Sequence, residues 1–231
     1  MKKVKVIIFI AALVIGLMIA KSFGAVLGFS NVSFNFFSGI KGSGVSKIEK
    51  RDVANFKQID VSGIIEVEVV AQKNFSVEVE ADDNLLEYVK TEVDGDTLKL
   101  YTKNRISPST KIRVVISMPE LTGADVSGVS KLTANEIKTE SFHLDVSGAS
   151  KIEINGEAKN LKIEASGASK INAENLKVSN ADVDVSGATH VTVNATEEVR
   201  ADASGASKVN YVGEPKNVIK DTSGASRVSQ K

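Results

Sequence analysis

Apolar and polar residues alternate one for one over much of this 231-residue chain, and a recurring phrase interrupts the alternation. In Leu144-Asp145-Val146-Ser147-Gly148-Ala149-Ser150-Lys151-Ile152-Glu153-Ile154, Leu144 and Val146 fall on one side and Asp145 on the other. Ser147 to Ser150 break the pattern, and Ile152 and Ile154 resume it. Such alternation marks a strand with one buried face. The interrupting phrase, close to Ser-Gly-Ala-Ser-Lys-Ile, carries Gly128, Gly148, Gly167, Gly187, Gly205 and Gly224, spaced 20, 19, 20, 18 and 19 residues apart. A period of about nineteen residues predicts stacked coils, each with two or three short strands and tight corners. Stacking sets each strand about 4.8 Å from its counterpart in parallel sheets, around a narrow core of Ile, Val, Leu and Ala. The expected fold is all-β, a single parallel β-helix. Right-handed winding is favoured, although the period also suits a left-handed coil.

Two earlier copies of the phrase surround Gly44 and Gly63, and the repeat then stops for 65 residues before Gly128. Within that gap residues 65–70, 75–80, 97–102 and 111–118 alternate as half-buried strands. Asp94-Gly95-Asp96 reads as a hairpin turn. Residues 82–89, with their acidic start, predict one short helix. Residues 64–126 are therefore expected to form an antiparallel elaboration of the coil stack.

The N-terminus has a different pattern. Lys2, Lys3 and Lys5 precede an apolar run over residues 6–20 that Lys21 closes, which predicts export. Fifteen helical residues reach only about 22 Å, short of a hydrocarbon core of about 30 Å, but residues 23–29 could extend the run. Ser22-Phe23-Gly24 also suits cleavage before Ala25. Residues 1–21 are thus a signal peptide or a membrane anchor, residues 22–44 a linker, and residues 45–231 the solenoid.

Composition narrows the chemistry. There is no Cys, which rules out disulfides, thiolate metal sites and a Cys nucleophile. Formal net charge is zero over the whole chain; without residues 1–21, which hold four Lys and no acid, it is 25 − 29 = −4. That balance disfavours nucleic acid as a partner. Tyr and Phe are scarce and Trp is absent, unlike sugar-processing grooves with aromatic platforms.

The repeated residues read first as structure. Gly44, Gly63, Gly128, Gly148, Gly167, Gly187, Gly205 and Gly224 are the corner glycines, where stacked turns leave little room for a Cβ and call for positive φ. A phosphate cradle would need a helix after the glycine, and a strand pattern follows instead. The Ser before each Gly, and the Ser or Thr two places after it, can stack their hydroxyls to satisfy corner backbone groups. Acids recur three places before the Gly, at Asp60, Asp125, Asp145, Glu164, Asp184, Asp202 and Asp221. Bases recur three places after it, at Lys47, Lys131, Lys151, Lys170, His190, Lys208 and Arg227. Neighbouring like charges at 4.8 Å repel by about 0.9 kcal/mol in water, a cost that opposite columns across the corner and salt would offset. An acid column could collect Ca²⁺, but no copy has the clustered Asp and Gly of calcium-binding β-helix repeats. Ser186, His190 and Asp184 supply the residue types of a triad, yet neighbouring copies lack the His. No catalytic, cofactor or metal residues are assigned, and no cofactor is expected.

The run Asp145-Val146-Ser147-Gly148-Ala149-Ser150-Lys151-Ile152 and its copies, the lead over residues 52–63, and Val77-Glu78-Val79-Glu80-Ala81-Asp82-Asp83-Asn84-Leu85-Leu86 together resemble the putative auto-transporter adhesin, head GIN domain family. The likeness spans roughly residues 45–231. It implies a β-solenoid of bacterial cell-envelope proteins, an adhesion role by assignment, and no catalytic residues. Ile64-Ile65, where later copies have Ala-Ser, departs from the pattern and is expected to end the regular stack there.

Three functions remain open. The first is a non-enzymatic adhesin or surface scaffold in the cell envelope. Its partner would be an envelope protein or a glycan, with membrane contact through residues 1–21 if they are retained and homo-oligomers through the solenoid ends. The second is a polysaccharide-active enzyme, with Arg105, Lys111 and Arg113 as candidates. The third is an envelope-stress or regulatory partner acting at the membrane.

Overall fold

The computed structural model describes residues 39–231. The apolar segment 1–21 and residues 22–38 of the expected linker lie outside the described residues. Those described form seventeen strands and no helix. Nine precede the regular repeat: β1 (Ile40–Lys41), β2 (Ser46–Arg51), β3 (Gln58–Gly63), β4 (Glu66–Val70), β5 (Ser76–Asp82), β6 (Val89–Asp94), β7 (Thr97–Thr102), β8 (Ile106–Ser107) and β9 (Arg113–Ser117). Eight follow: β10 (Gly123–Gly128), β11 (Lys131–Gly148), β12 (Lys151–Gly167), β13 (Lys170–Val185), β14 (His190–Ala203), β15 (Lys208–Val212), β16 (Asn217–Thr222) and β17 (Arg227–Gln230).

From β10 onward the fold is a parallel β-solenoid, and every pairing is parallel. β11 to β14 are long because each runs around its coil from one glycine corner toward the next, bending where its register with a neighbour shifts, as between Ala134 and Ile137. Inward positions stack on inward positions. Leu144 lies beside Ile163, then Val183, then Ala201 in successive coils, and all four are buried. Each buried Val, Leu or Ile contributes about 1.5–3 kcal/mol, so the same side chain that fills its coil also sets the register of the next. Phe142, Leu161, Ala181 and Val199 share another inward position, where the largest side chain lies nearest the N-terminal coils.

Residues 64–126 do not interrupt this stack. β10 pairs with β3, so Gly128 sits opposite Gly63 across the 65-residue excursion. β11 likewise pairs with β4, and the stack continues past Ile64-Ile65. The excursion adds a further coil beneath: β7 pairs in parallel with β3, and β9 with β4. Only the outer layer is antiparallel, with β6 on β7, β5 on β9 and β2 on β5. The elaboration is thus mixed. Parallel partners satisfy the edges of β3 and β4, and the antiparallel strands then cover the edges of β7 and β9.

One local expectation holds and one changes. Asp94 and Thr97 close the β6–β7 hairpin around Gly95, whose φ is +62°, in line with the turn expected there. The short helix expected over residues 82–89 is instead two successive turns, Leu85 N–H to Asp82 C=O at 2.8 Å and Tyr88 N–H to Leu85 C=O at 3.0 Å. The Asp82 carboxylate is the reason. It does not cap a helix; it accepts from the backbone amides of Gly44 (2.7 Å), Ser109 (2.9 Å) and Thr110 (3.1 Å). Leu85 and Leu86 are both buried, and Leu86 joins the main core.

Candidate corner groove

Each repeat brings its Gly to the same corner, and the corner is the most regular feature of the surface. A Cβ on Gly148 would lie 2.4 Å from the Gly128 carbonyl oxygen, and one on Gly167 2.3 Å from that of Gly148. The same carbonyls accept the next coil's amides: Ala149 N–H to Gly128 and Ala168 N–H to Gly148, both 2.8 Å. Gly63, Gly128, Gly148, Gly167, Gly187, Gly205 and Gly224 form one continuous column. Gly44 stands apart. Its φ is +84° and a Cβ there would meet nothing within 4 Å, because β2 runs antiparallel in the outer layer. For the same reason Lys47 faces Ala81 and joins no basic row.

Four rows run beside the glycine column. Beneath it Ser130, Ser150, Ser169, Thr189 and Ser207 are buried. Ser169 Oγ donates to the Gly148 carbonyl at 3.2 Å, and Ser207 Oγ to the Ser204 carbonyl at 2.8 Å. On the outside Ile64, Val129, Ala149, Ala168, Ala188 and Ala206 make an exposed apolar strip. The basic row lies next to that strip, with Lys131, Lys151, Lys170, His190, Lys208 and Arg227 in register. On the face before the corner the acids line up as Asp60, Asp125, Asp145, Glu164, Asp184, Asp202 and Asp221.

The two charged rows do not neutralise each other. Among the described residues Lys131, Lys151, Lys170, Lys208 and Arg227 make no ion pair, and of the acid row only Glu164 does, with Lys162 on its own strand. Their mutual repulsion is visible in two groups. Burial, then the neighbouring Asp145 and Asp60 charges, raise the Asp125 carboxyl above its usual range. Burial, then Lys208 and Lys170, lower the His190 imidazole. His190 therefore stands neutral at pH 7 in a row of cations.

Between the apolar strip and the basic row runs a groove of about 860 Å³, from Ile64 past Lys131, Lys151 and Lys170 to His190. The Pro108–Ser109–Thr110 loop lines it beside the first of these coils. Lys111 and Arg113, the enzyme candidates, hold Glu66 at 2.7 Å and Glu68 at 2.6 Å as exposed ion pairs. Arg105 lies elsewhere, where its carbonyl accepts the Ile40 amide at 2.9 Å. His190 contacts Asn210 one coil on, Nε2 to Nδ2 at 3.2 Å, while Asp184 sits in the acid row across the corner. Among the described residues no group of three or more His, Cys, Asp or Glu could hold a metal ion. The apolar strip and the groove are legible in the repeat only afterwards: Ala149, Ala168 and Ala188 read as filler until stacking aligns them.

The model of a family described as putative auto-transporter adhesin, head GIN domain, matches residues 55–215. No curated protein matches the chain. Three of the solved structures similar to it share its fold. A putative adhesin from Bacteroides fragilis is 19% identical, with a TM-score of 0.70 over 84% of this chain and 100% of its own. A putative adhesin from Parabacteroides merdae is 17% identical, with a TM-score of 0.55 over 84% of this chain and 99% of its own. A putative lipid binding protein from Parabacteroides distasonis is 17% identical, with a TM-score of 0.50 over 84% of this chain and 100% of its own.

Proposed function

The chain belongs to the putative auto-transporter adhesin, head GIN domain family, and from that premise we propose that it is an exported, adhesin-like protein of the bacterial cell envelope that works by presenting a rigid surface and not by catalysis. One observation carries the reading: the outward charges recur in register, coil after coil, as straight rows along the solenoid. Catalysis needs an irregular cluster in which neighbouring groups differ in role. A row of equivalent groups suits attachment to a partner that is itself extended. The basic N-terminus and the apolar run over residues 6–20 support export.

Protease shaving of intact cells carrying a C-terminal epitope tag tests this reading. Loss of the tag from intact cells is the expected result. A tag that survives until the envelope is breached would overturn the surface role.

A further inference from the structure

The unpaired basic row and the apolar strip beside it form one linear feature, and their chemistry identifies an occupant. Coils stack at about 4.8 Å, so Lys131 to Arg227 span about 24 Å in a straight line. Lys131, Lys151, Lys170 and Lys208 are exposed, and none makes an ion pair among the described residues, although Lys131 lies beside Glu66, which Lys111 already holds. A linear polyanion laid along the row would relieve repulsion between neighbouring lysines while gaining attraction to each of them.

Three kinds of polyanion can be separated on the groove's own features. Single-stranded nucleic acid is held by aromatic platforms on which bases stack, and the strip here is Ile64, Val129 and then alanines. A membrane surface calls for a continuous face of large apolar side chains that reach below the headgroups; here Ile64 and Val129 are large at one end and the strip continues as alanines. A chain of sugar rings needs less. Its C–H faces fit against small methyl groups, and its hydroxyls find the half-buried polar row of Thr133, Glu153 and Asn172, two places after the lysines on the same strands.

We propose that the corner groove, with the basic row that continues beyond His190, binds a linear carboxylated polysaccharide, a polyuronate, parallel to the solenoid axis, with its carboxylates on Lys131, Lys151, Lys170 and Lys208 and its rings against the alanine strip. The assignment rests on the adhesin reading and supplies the class of glycan to which the surface attaches.

The test measures binding of the full-length chain to immobilised polygalacturonate, with neutral dextran, single-stranded DNA and anionic phospholipid vesicles as comparisons. Binding to polygalacturonate that falls as salt rises, without binding to dextran, is expected. Lys151→Gln with Lys170→Gln should weaken it about tenfold or more at low salt, because two contacts to the polyanion are lost. Lys151→Arg with Lys170→Arg should retain it. Both pairs are exposed, so the fold tolerates the changes. Asp145→Asn with Asp184→Asn, on the other face, should not weaken binding.

No binding to polygalacturonate, or binding indifferent to the Gln pair, would overturn the groove assignment. Tighter binding to DNA or to vesicles, lost in the Gln pair, would overturn the polyuronate in favour of a phosphate-bearing partner. Each of these results leaves the shaving experiment untouched: a tag still lost from intact cells keeps the adhesin reading while this inference fails.

Discussion

A methyl group added at Gly167 would press within 2.3 Å of the Gly148 carbonyl oxygen, at a residue whose φ is +103°. That carbonyl is already fixed by the Ala168 amide, so it has nowhere to move. Gly167→Ala should therefore cost about 3 kcal/mol or more in urea unfolding, through clash and backbone strain together. Gly44→Ala meets only the strain of a positive φ and should cost about 1 kcal/mol. Equal losses at the two sites would refute the stacked corner. Asp82 has a different vulnerability. Burial alone would raise its carboxyl, but amides of Thr110, Gly44 and Ser109 outweigh burial and hold it below the usual carboxylate range. A carboxyl lowered in the folded state adds stability above its unfolded value of about 3.9, and that stability is lost as pH falls through the lower folded value. Asp82→Asn turns one acceptor oxygen into a donor facing donors, at Gly44 or at Ser109 and Thr110. It should cost about 3 kcal/mol at pH 7 and flatten this part of the acid limb of the stability curve. An unchanged limb would show that Asp82 is no latch.

At the scale of the strands, the register that buries the core also forces like charges into rows. Leu144 and Ile163 pair inside, and Asp145 and Glu164 must then pair outside. The outward acids can splay but cannot change neighbours. Asp125, raised by burial and by Asp145 and Asp60, shows the strain most clearly. A carboxyl raised in the folded state favours folding most below its unfolded value of about 3.9, and that advantage is lost as pH rises through the folded value. Asp125→Asn should accordingly stabilise the protein by about 0.5–1 kcal/mol at pH 7 and low ionic strength. The part of the gain that comes from Asp145 and Asp60 should be screened out at 1 M salt, where the screening length is about 3 Å, leaving the part that comes from burial. A loss of stability at low salt would mean that Asp125 has a favourable partner, and the row would not be repulsive. The periodic sequence made both rows legible, since any residue at a fixed offset from Gly148 must align with its equivalents. The sequence also suggested that opposite columns would compensate each other across the corner. Among the described residues they do not pair, because the corner sends the two rows onto different faces.

The whole molecule is built in an order that the chain does not follow. The coil of β3 and β4 is laid down first, yet that of β7 and β9, made later, lies beneath it, and β10 then joins its opposite edge. Local pattern marked all these segments as strands, but alternation says nothing about which edge a strand will join. That choice depends on pairing between residues far apart in the chain, and it was not legible. Its consequence is an asymmetric stack. On one side β6, β5 and β2 cover the coil edges with antiparallel pairing. On the other, β16 and β17 form the outermost layer, where Val218 and Val228 pack only partly against the core and Ile219 is 46% exposed. In a solenoid each coil contacts only its neighbours, so a coil with one interface opens more readily than a coil with two. Native-state amide exchange should then be fastest in β16 and β17, slower in β14 and slowest in β12 and β13. The buried Ile152, Ile154 and Ile163 of β12 should hold the last opening step close to global unfolding. Uniform protection from β12 to β17 would mean that the coils unfold as one unit, and the nearest-neighbour description would have to be abandoned. A gradient would mean that the groove is firmest along Lys151 and Lys170, where a straight ligand needs the row held straight, and looser toward Lys208 and Arg227.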